Sequence, residues 1–304
     1  MRHVAVAAAL AALAVAGVAS AAPRVDSVLS PSPVTALGAD GVRVAYAGAD
    51  CRVRMWNRTT GTVVVLGRGP SCERTSTGTA VAAIAVAGTR ALWSHSTGGN
   101  IREWSLWTAT TTRRTPRRLA FETSDPEARA PVVVGEGDVS RLGDLLPYAV
   151  GRSVVVLRST GARAFAWTAP APVTALAAKD GRVAVAVARG DVHVLSADGR
   201  VLRVERFGAP PDAVRLAGGG VLVAQTGRSL EVRGTARAAS YTLLTGIRLA
   251  DAEGAHAVLV GRGAIRLLRL EDGSGRLVAS GSGAALEGAW LAYADGRRVR
   301  ARRV

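Results

Sequence analysis

An all-β propeller, most simply of seven four-stranded blades, is the fold class this sequence predicts, on three observations. Short runs rich in Val, Ala and Leu alternate at a period of two, the spacing of a strand rather than of a helix. Asp-Gly and other glycine turns interrupt those runs every few residues. A glycine also returns at the same turn in seven successive units: Gly48, Gly99, Gly151, Gly190, Gly227, Gly261 and Gly296. The interval averages about forty residues, the length of a propeller blade.

The best-formed unit is 173–207, VTALAAKDGRVAVAVARGDVHVLSADGRVLRVERF. Asp180-Gly181 and Asp198-Gly199 mark hairpins, because glycine accepts the positive φ these turns need. Both faces of the segment 182–188 are apolar, as expected for a strand covered on both sides by stacked sheets. The other units follow in order. Blade one starts at Val34 with VTALGADGVRVAYAG, and blade two runs over 80–121. A long connection rich in Thr, Arg, Pro and acidic residues is expected over 108–130. Blade three, 131–168, is irregular and leaves a six-bladed ring as the alternative. Blades five and six cover 213–244 and 247–280. A final unit from about 285 has only three strands, while an unassigned strand lies at 25–29. Pairing the two closes the ring and hides both terminal edges, which otherwise invite aggregation. A β-sandwich has no reason to repeat at this period.

The first residues read as an export leader. A short basic start, Met1-Arg2-His3, precedes an apolar run over 4–18, and Ala19-Ser20-Ala21 fits a small-x-small cleavage site. We expect a leader over 1–21 and one domain over 22–304. The run is shorter than the roughly 20 residues a membrane span needs. The expected location is therefore secreted or extracytoplasmic, in the cell envelope. Two cysteines, Cys51 and Cys72, are expected to form a disulfide in an exported chain. Folding the hairpin 51–66 about Thr59-Thr60 carries Cys51 close to the segment just before Cys72.

The formal net charge is +16, and Lys179 is the sole lysine. The arginine-for-lysine skew is what a GC-rich coding bias produces. Where the charge matters, it implies an anionic partner such as a wall polymer, lipid head groups or a polysaccharide. Export argues against intracellular nucleic acid. A monomer is expected.

Some strands carry a family resemblance. The stretch RVRMWNRTTG, with Trp56 just before a Thr-Gly turn, is similar to the third strand of a WD40 repeat. With the repeat period, the chain resembles bacterial secreted WD40-like and YVTN-like propeller proteins over nearly all of its length after the leader. That resemblance implies architecture only. The Gly-His and Trp-Asp marks of WD40 repeats are absent, Asn57 follows Trp56, and the repeated Trp-docking motifs of quinone-dependent propellers are missing.

No catalytic motif stands out. His95, His193 and His256 lack a nucleophile elbow beside them, and no HExxH motif or close His pair suggests a metal. Glu136, Asp138 and Asp144 in GEGDVSRLGD form a small acidic group, too few for a calcium loop. No cofactor is expected. The binding candidates are the basic run Arg113, Arg114, Arg117 and Arg118, together with Trp104 and Trp107. Five of the six tryptophans lie in blades one to three, so that sector is the expected contact face. The strands nearest the channel, VTALGA, AVAAIAVA and VTALAA, read as apolar, which disfavours an enzyme. The preferred reading is a non-enzymatic binding module for a protein or an anionic polymer. The alternative is a polysaccharide hydrolase or lyase with its site in the central channel.

Overall fold

The computed structural model describes residues 26–68, 72, 78–141, 143–234 and 238–304, and the expected leader over 1–21 lies outside them. The described residues contain no helix. They form seven antiparallel sheets arranged as a β-propeller, six of four strands and one of five. Among these residues, no helix is long and apolar enough to cross a membrane.

All seven predicted glycines fall at the turn between the second and third strands of their sheets. Four of them, Gly151, Gly190, Gly227 and Gly296, take positive φ there. At Gly190 a Cβ would also lie 2.7 Å from Phe207 O, so this position excludes a side chain twice over. The segment 173–207 is a complete blade, with strands Val173–Lys179, Arg182–Val187, Asp191–Ser196 and Val201–Arg206.

The closing blade joins both ends of the domain. Ser27–Leu29 pairs with Arg298–Arg303 in the register Ser27↔Arg300, Val28↔Val299 and Leu29↔Arg298. Ser30 N–H donates to Arg297 O and Ala301 N–H to Asp26 O. The ring is sealed by a core layer in which Val34, Val44, Tyr46 and Trp56 of blade one meet Ala292, Ala294, Val299 and Ala301 of the closing blade. Similar Ala- and Val-rich layers fill the spaces between the other neighbouring blades. Small side chains let the sheets approach closely, which explains how a chain with so few aromatics is packed.

Two expectations are corrected. The segment 108–130 is not one long loop. It is the end of strand Arg102–Thr110, a short turn, and the outermost strand Arg117–Ser124. That strand is largely exposed and polar, so composition alone marks it as a connection. The irregularity of blade three is a break in its innermost strand, not a missing blade. Val132–Val134 and Asp138–Ser140 both pair with Gly143–Val150, and Gly135-Glu136-Gly137 bulges out between them. The bulge leans on blade four, where Glu136 bridges Ala177 in parallel and its carbonyl accepts Ala178 N–H. A Cβ on Gly135 would lie 2.5 Å from Leu176 Cβ, and one on Gly137 would strike Val86 O. The two glycines therefore let Glu136 be pressed inward between blades two and four.

Candidate functional site

The innermost strands surround the channel and end at one face of the ring, at their turn into the second strand. The apolar channel expected from VTALGA and VTALAA is corrected there, because each of those strands has one more residue. Asp40 ends Val34–Asp40, Lys179 ends Val173–Lys179, Glu253 ends Arg248–Glu253 and Glu287 ends Gly283–Glu287. Lys179 Nζ lies 2.6 Å from Glu253 Oε2, 3.1 Å from Glu287 Oε2 and 3.5 Å from Asp138 Oδ1. Burial alone would lower the Lys179 pKa, but these carboxylates overcome it and raise it. Burial pushes Glu287 up to about 7 and Asp40 up to about 6, against the pull of Lys179. Burial likewise raises Glu253 and Asp138.

Several of these carboxylates also latch blade to blade. Asp40 accepts Gly88 N–H at 2.6 Å from blade two and Val139 N–H from blade three. Asp138 accepts Asp180 N–H at 2.9 Å, Asp180 accepts Gly219 N–H, and Asp251 accepts Leu286 N–H at 2.5 Å. Charge at this mouth thus ties the ring together, with Lys179 as its internal counter-ion.

Deeper in the channel the polarity changes. Glu136 and Asp251 share a hydrogen bond. Burial, followed by the nearby Asp251, raises the Glu136 pKa well above the usual carboxylate range. Both Asp251 oxygens accept backbone N–H groups, from Ala252 and Leu286. Arg215 Nε stands 3.4 Å from Glu136 Oε2 and donates to Ala250 O at 2.9 Å. Asp144, the third member of the expected acidic group, lies apart and accepts a hydrogen bond from Ser159.

The second feature is a groove at the rim, between the outer turns of blades two and three. Its volume is about 610 Å³, and Arg90, Arg113, Arg114 and Arg117 line it together with Thr108 and Thr110. Arg90 is held by Ser159 O, Thr160 O and Thr108 Oγ1 at 2.9–3.1 Å. Burial, followed by the charges of Arg117 and Arg113, lowers its pKa. Arg113 is positioned by Thr110 Oγ1, which accepts its backbone N–H at 2.8 Å. Among the described residues, none of these four arginines makes an ion pair, and neither does Arg118 (its guanidinium lies 5.4 Å from the Phe121 ring centroid).

The predicted basic residues therefore split. Arg113, Arg114 and Arg117 meet in the groove and gain Arg90, which the sequence reading missed. Arg90 sits alone in an apolar run, and only folding brings it beside them. The tryptophans go elsewhere. Trp104 is buried and donates to Ser124 Oγ at 3.0 Å, while Trp107 is half-buried and donates to Ser105 Oγ at 2.8 Å. Trp56 and Trp93 are fully buried, and Arg58 stacks 4.4 Å over Trp290. The histidines are dispersed over blades two, four and six. Cys51 and Cys72 form a disulfide with Cα atoms 5.7 Å apart. Buried His95 lies beside it, its pKa lowered by burial.

No protein-family model and no curated protein matches the chain. Among solved structures, it is similar to a chain of a crystal structure of the mitotic checkpoint complex. The TM-score is 0.59 and the identity 14%, over 100% of this chain and 99% of that one. It is similar to RRP9 WD40 repeats with a TM-score of 0.57 and 15% identity, over 91% of this chain and 98% of that one. It is also similar to the computationally designed Ika8 protein, with a TM-score of 0.51 and 14% identity over 91% and 98%. At such identities the likeness shows the fold alone, a WD40-like β-propeller.

Proposed function

We propose that this WD40-like propeller is an exported, non-enzymatic binding module of the cell envelope or the extracellular space. Its partner is an anionic polymer or an acidic protein surface docked in the groove between blades two and three. The observation that carries the reading is the convergence of Arg90, Arg113, Arg114 and Arg117 on one open groove without a carboxylate partner among the described residues. Like charges held together on a rigid rim repel one another until an anion enters, and planar guanidinium forks suit carboxylate, sulfate and phosphate oxygens. Turns on a rigid scaffold are where binding residues concentrate. The leader-like residues 1–21 and the Cys51–Cys72 bridge support export, since disulfides persist in oxidising compartments.

The alternative, a polysaccharide hydrolase in the channel, has less support. Glycoside hydrolysis places its two carboxyl groups roughly 5 Å or more apart, with the sugar between them. Here Glu136 and Asp251 are hydrogen-bonded to each other, and backbone amides hold Asp251.

Heparin, as a generic anionic polysaccharide, and poly-glutamate test the groove by titration calorimetry across a salt series. Affinity should fall steeply with salt, and the Arg113→Ala/Arg114→Ala/Arg117→Ala variant should bind about tenfold more weakly or worse. A flat salt response, or unchanged binding by the triple variant, removes the anionic partner.

A further inference from the structure

The channel holds a second site, independent of the groove. A cavity of about 270 Å³ lies among the innermost strands, walled by residues such as Val34, Leu37, Ile84 and Val86 and by the polar groups of Glu136, Arg215, Arg248 and Asp251. Its volume is smaller than drug-sized pockets and equals roughly nine water molecules. Arg248 opens the strand Arg248–Glu253, whose far end is Glu253, so it stands at the mouth opposite the Lys179 cluster. It donates to Ser282 O at 2.9 Å and makes no ion pair among the described residues. Arg215 Nη1 donates to Val214 O at 2.7 Å, which together with Ala250 O fixes the guanidinium plane. Two guanidinium groups thus line the cavity, and among the described residues only that of Arg215 has a carboxylate at ion-pair distance, Glu136 at 3.4 Å. The wall has room for one more negative charge and a fork to hold it.

We propose that the channel cavity binds a small monocarboxylate, gripped by Arg248 and by the free donors of Arg215. A planar carboxylate matches the guanidinium fork in a bidentate manner. A dianion such as phosphate would meet Asp251 and exceed the charge the wall can balance. The hydrogen-bonded Glu136 offers an uncharged wall to the ligand while it holds its proton. Asp251 from blade six, Arg215 from blade five and Lys179 from blade four all face Glu136 and set when that proton leaves. Once it leaves, a second negative charge faces the ligand and binding weakens.

The test is titration calorimetry with saturation-transfer NMR on the full chain. Acetate, lactate and glucuronate are the probes, with acetamide and glucose as uncharged controls. At least one carboxylate is expected to bind at millimolar Kd or tighter while the uncharged controls do not. R248Q should weaken it about tenfold or more, the cost of losing charge-assisted hydrogen bonds. Thermal melts confirm that R248Q is folded, and R248K, which keeps the charge without the fork, should fall between R248Q and wild type. E136Q, whose amide cannot ionise, should retain binding at high pH where the wild type loses it. The groove triple variant should bind the carboxylate as the wild type does, which keeps the two sites separable. Absence of binding by every carboxylate at about 10 mM, or equal affinity of folded R248Q and wild type, overturns the proposal.

Discussion

Replacing Lys179 with methionine tests the charge cluster at the channel mouth most directly. Methionine fills much of the same volume and removes only the ammonium. Coulomb's law at an effective dielectric of 20 gives about 5–6 kcal/mol for each attraction at distances such as the 2.6, 3.1 and 3.5 Å found here. Much of that is offset by the cost of burying the ions and by repulsion among the carboxylates. Measured losses on breaking a buried pair are about 3–5 kcal/mol, which we expect for Lys179→Met at pH 8. The loss must shrink as pH falls, because the stranded carboxyls can then take up protons. Glu287 and Asp40 already titrate at about 7 and about 6 with Lys179 present, and without it they hold protons to still higher pH. At pH 5 the cost should drop to about half or less of its value at pH 8. Urea unfolding of wild type and variant at both pH values measures it. Equal destabilisation at pH 5 and pH 8 would refute the counter-ion role and leave Lys179 as a packing residue.

Other expectations follow from the same geometry. The Glu287 pKa is raised in the folded protein, so its contribution favours folding below the unfolded value of 4.5 and is lost as pH rises through about 7. Glu287→Gln should therefore gain stability relative to wild type across that window, by up to about 3 kcal/mol. A difference curve from urea unfolding that does not begin to rise near 4.5 and level off near 7 would contradict this. Cys51 and Cys72 are separated by 21 residues, and in the chain-entropy model a bridge of this span contributes about 3 kcal/mol. Cys51→Ser/Cys72→Ser should lower the denaturation midpoint accordingly. Intact-mass measurement after alkylation without reductant should find no modified thiol, and two modified thiols would disprove the bridge.

Legibility in the sequence followed where the physics is local. Most of the seven glycine turns were readable because positive φ or close backbone approach leaves a mark in residue type, and Gly190 shows both. The closing strand Ser27–Leu29 was readable because a final unit one strand short must find a partner. The Cys51–Cys72 bridge followed from the register of one hairpin. The strand Arg117–Ser124 was hidden because an outermost strand with most of its surface in solvent need not alternate. The ionisable groups of the channel could have been found by aligning the units at the first turn of each blade, where Asp40, Lys179, Glu253 and Glu287 hold the last strand position. Reading those strands one residue short concealed them.

By itself, then, the sequence determined the strand period and the repeat of about forty residues, which are set by near neighbours. It pointed to the manner of closure, because a final unit one strand short leaves an edge to be paired, while the structure decided that irregular blade three is a full blade. The tertiary structure alone decided which charges meet. Glu136 with Arg215 and Asp251, Lys179 with Glu253 and Glu287, and Arg90 with Arg117 each join residues of different strands, most of them from different blades. Closing the ring sets those distances, and in a channel of low dielectric a separation of a few ångströms decides whether a charge is a latch, a counter-ion or a binding group.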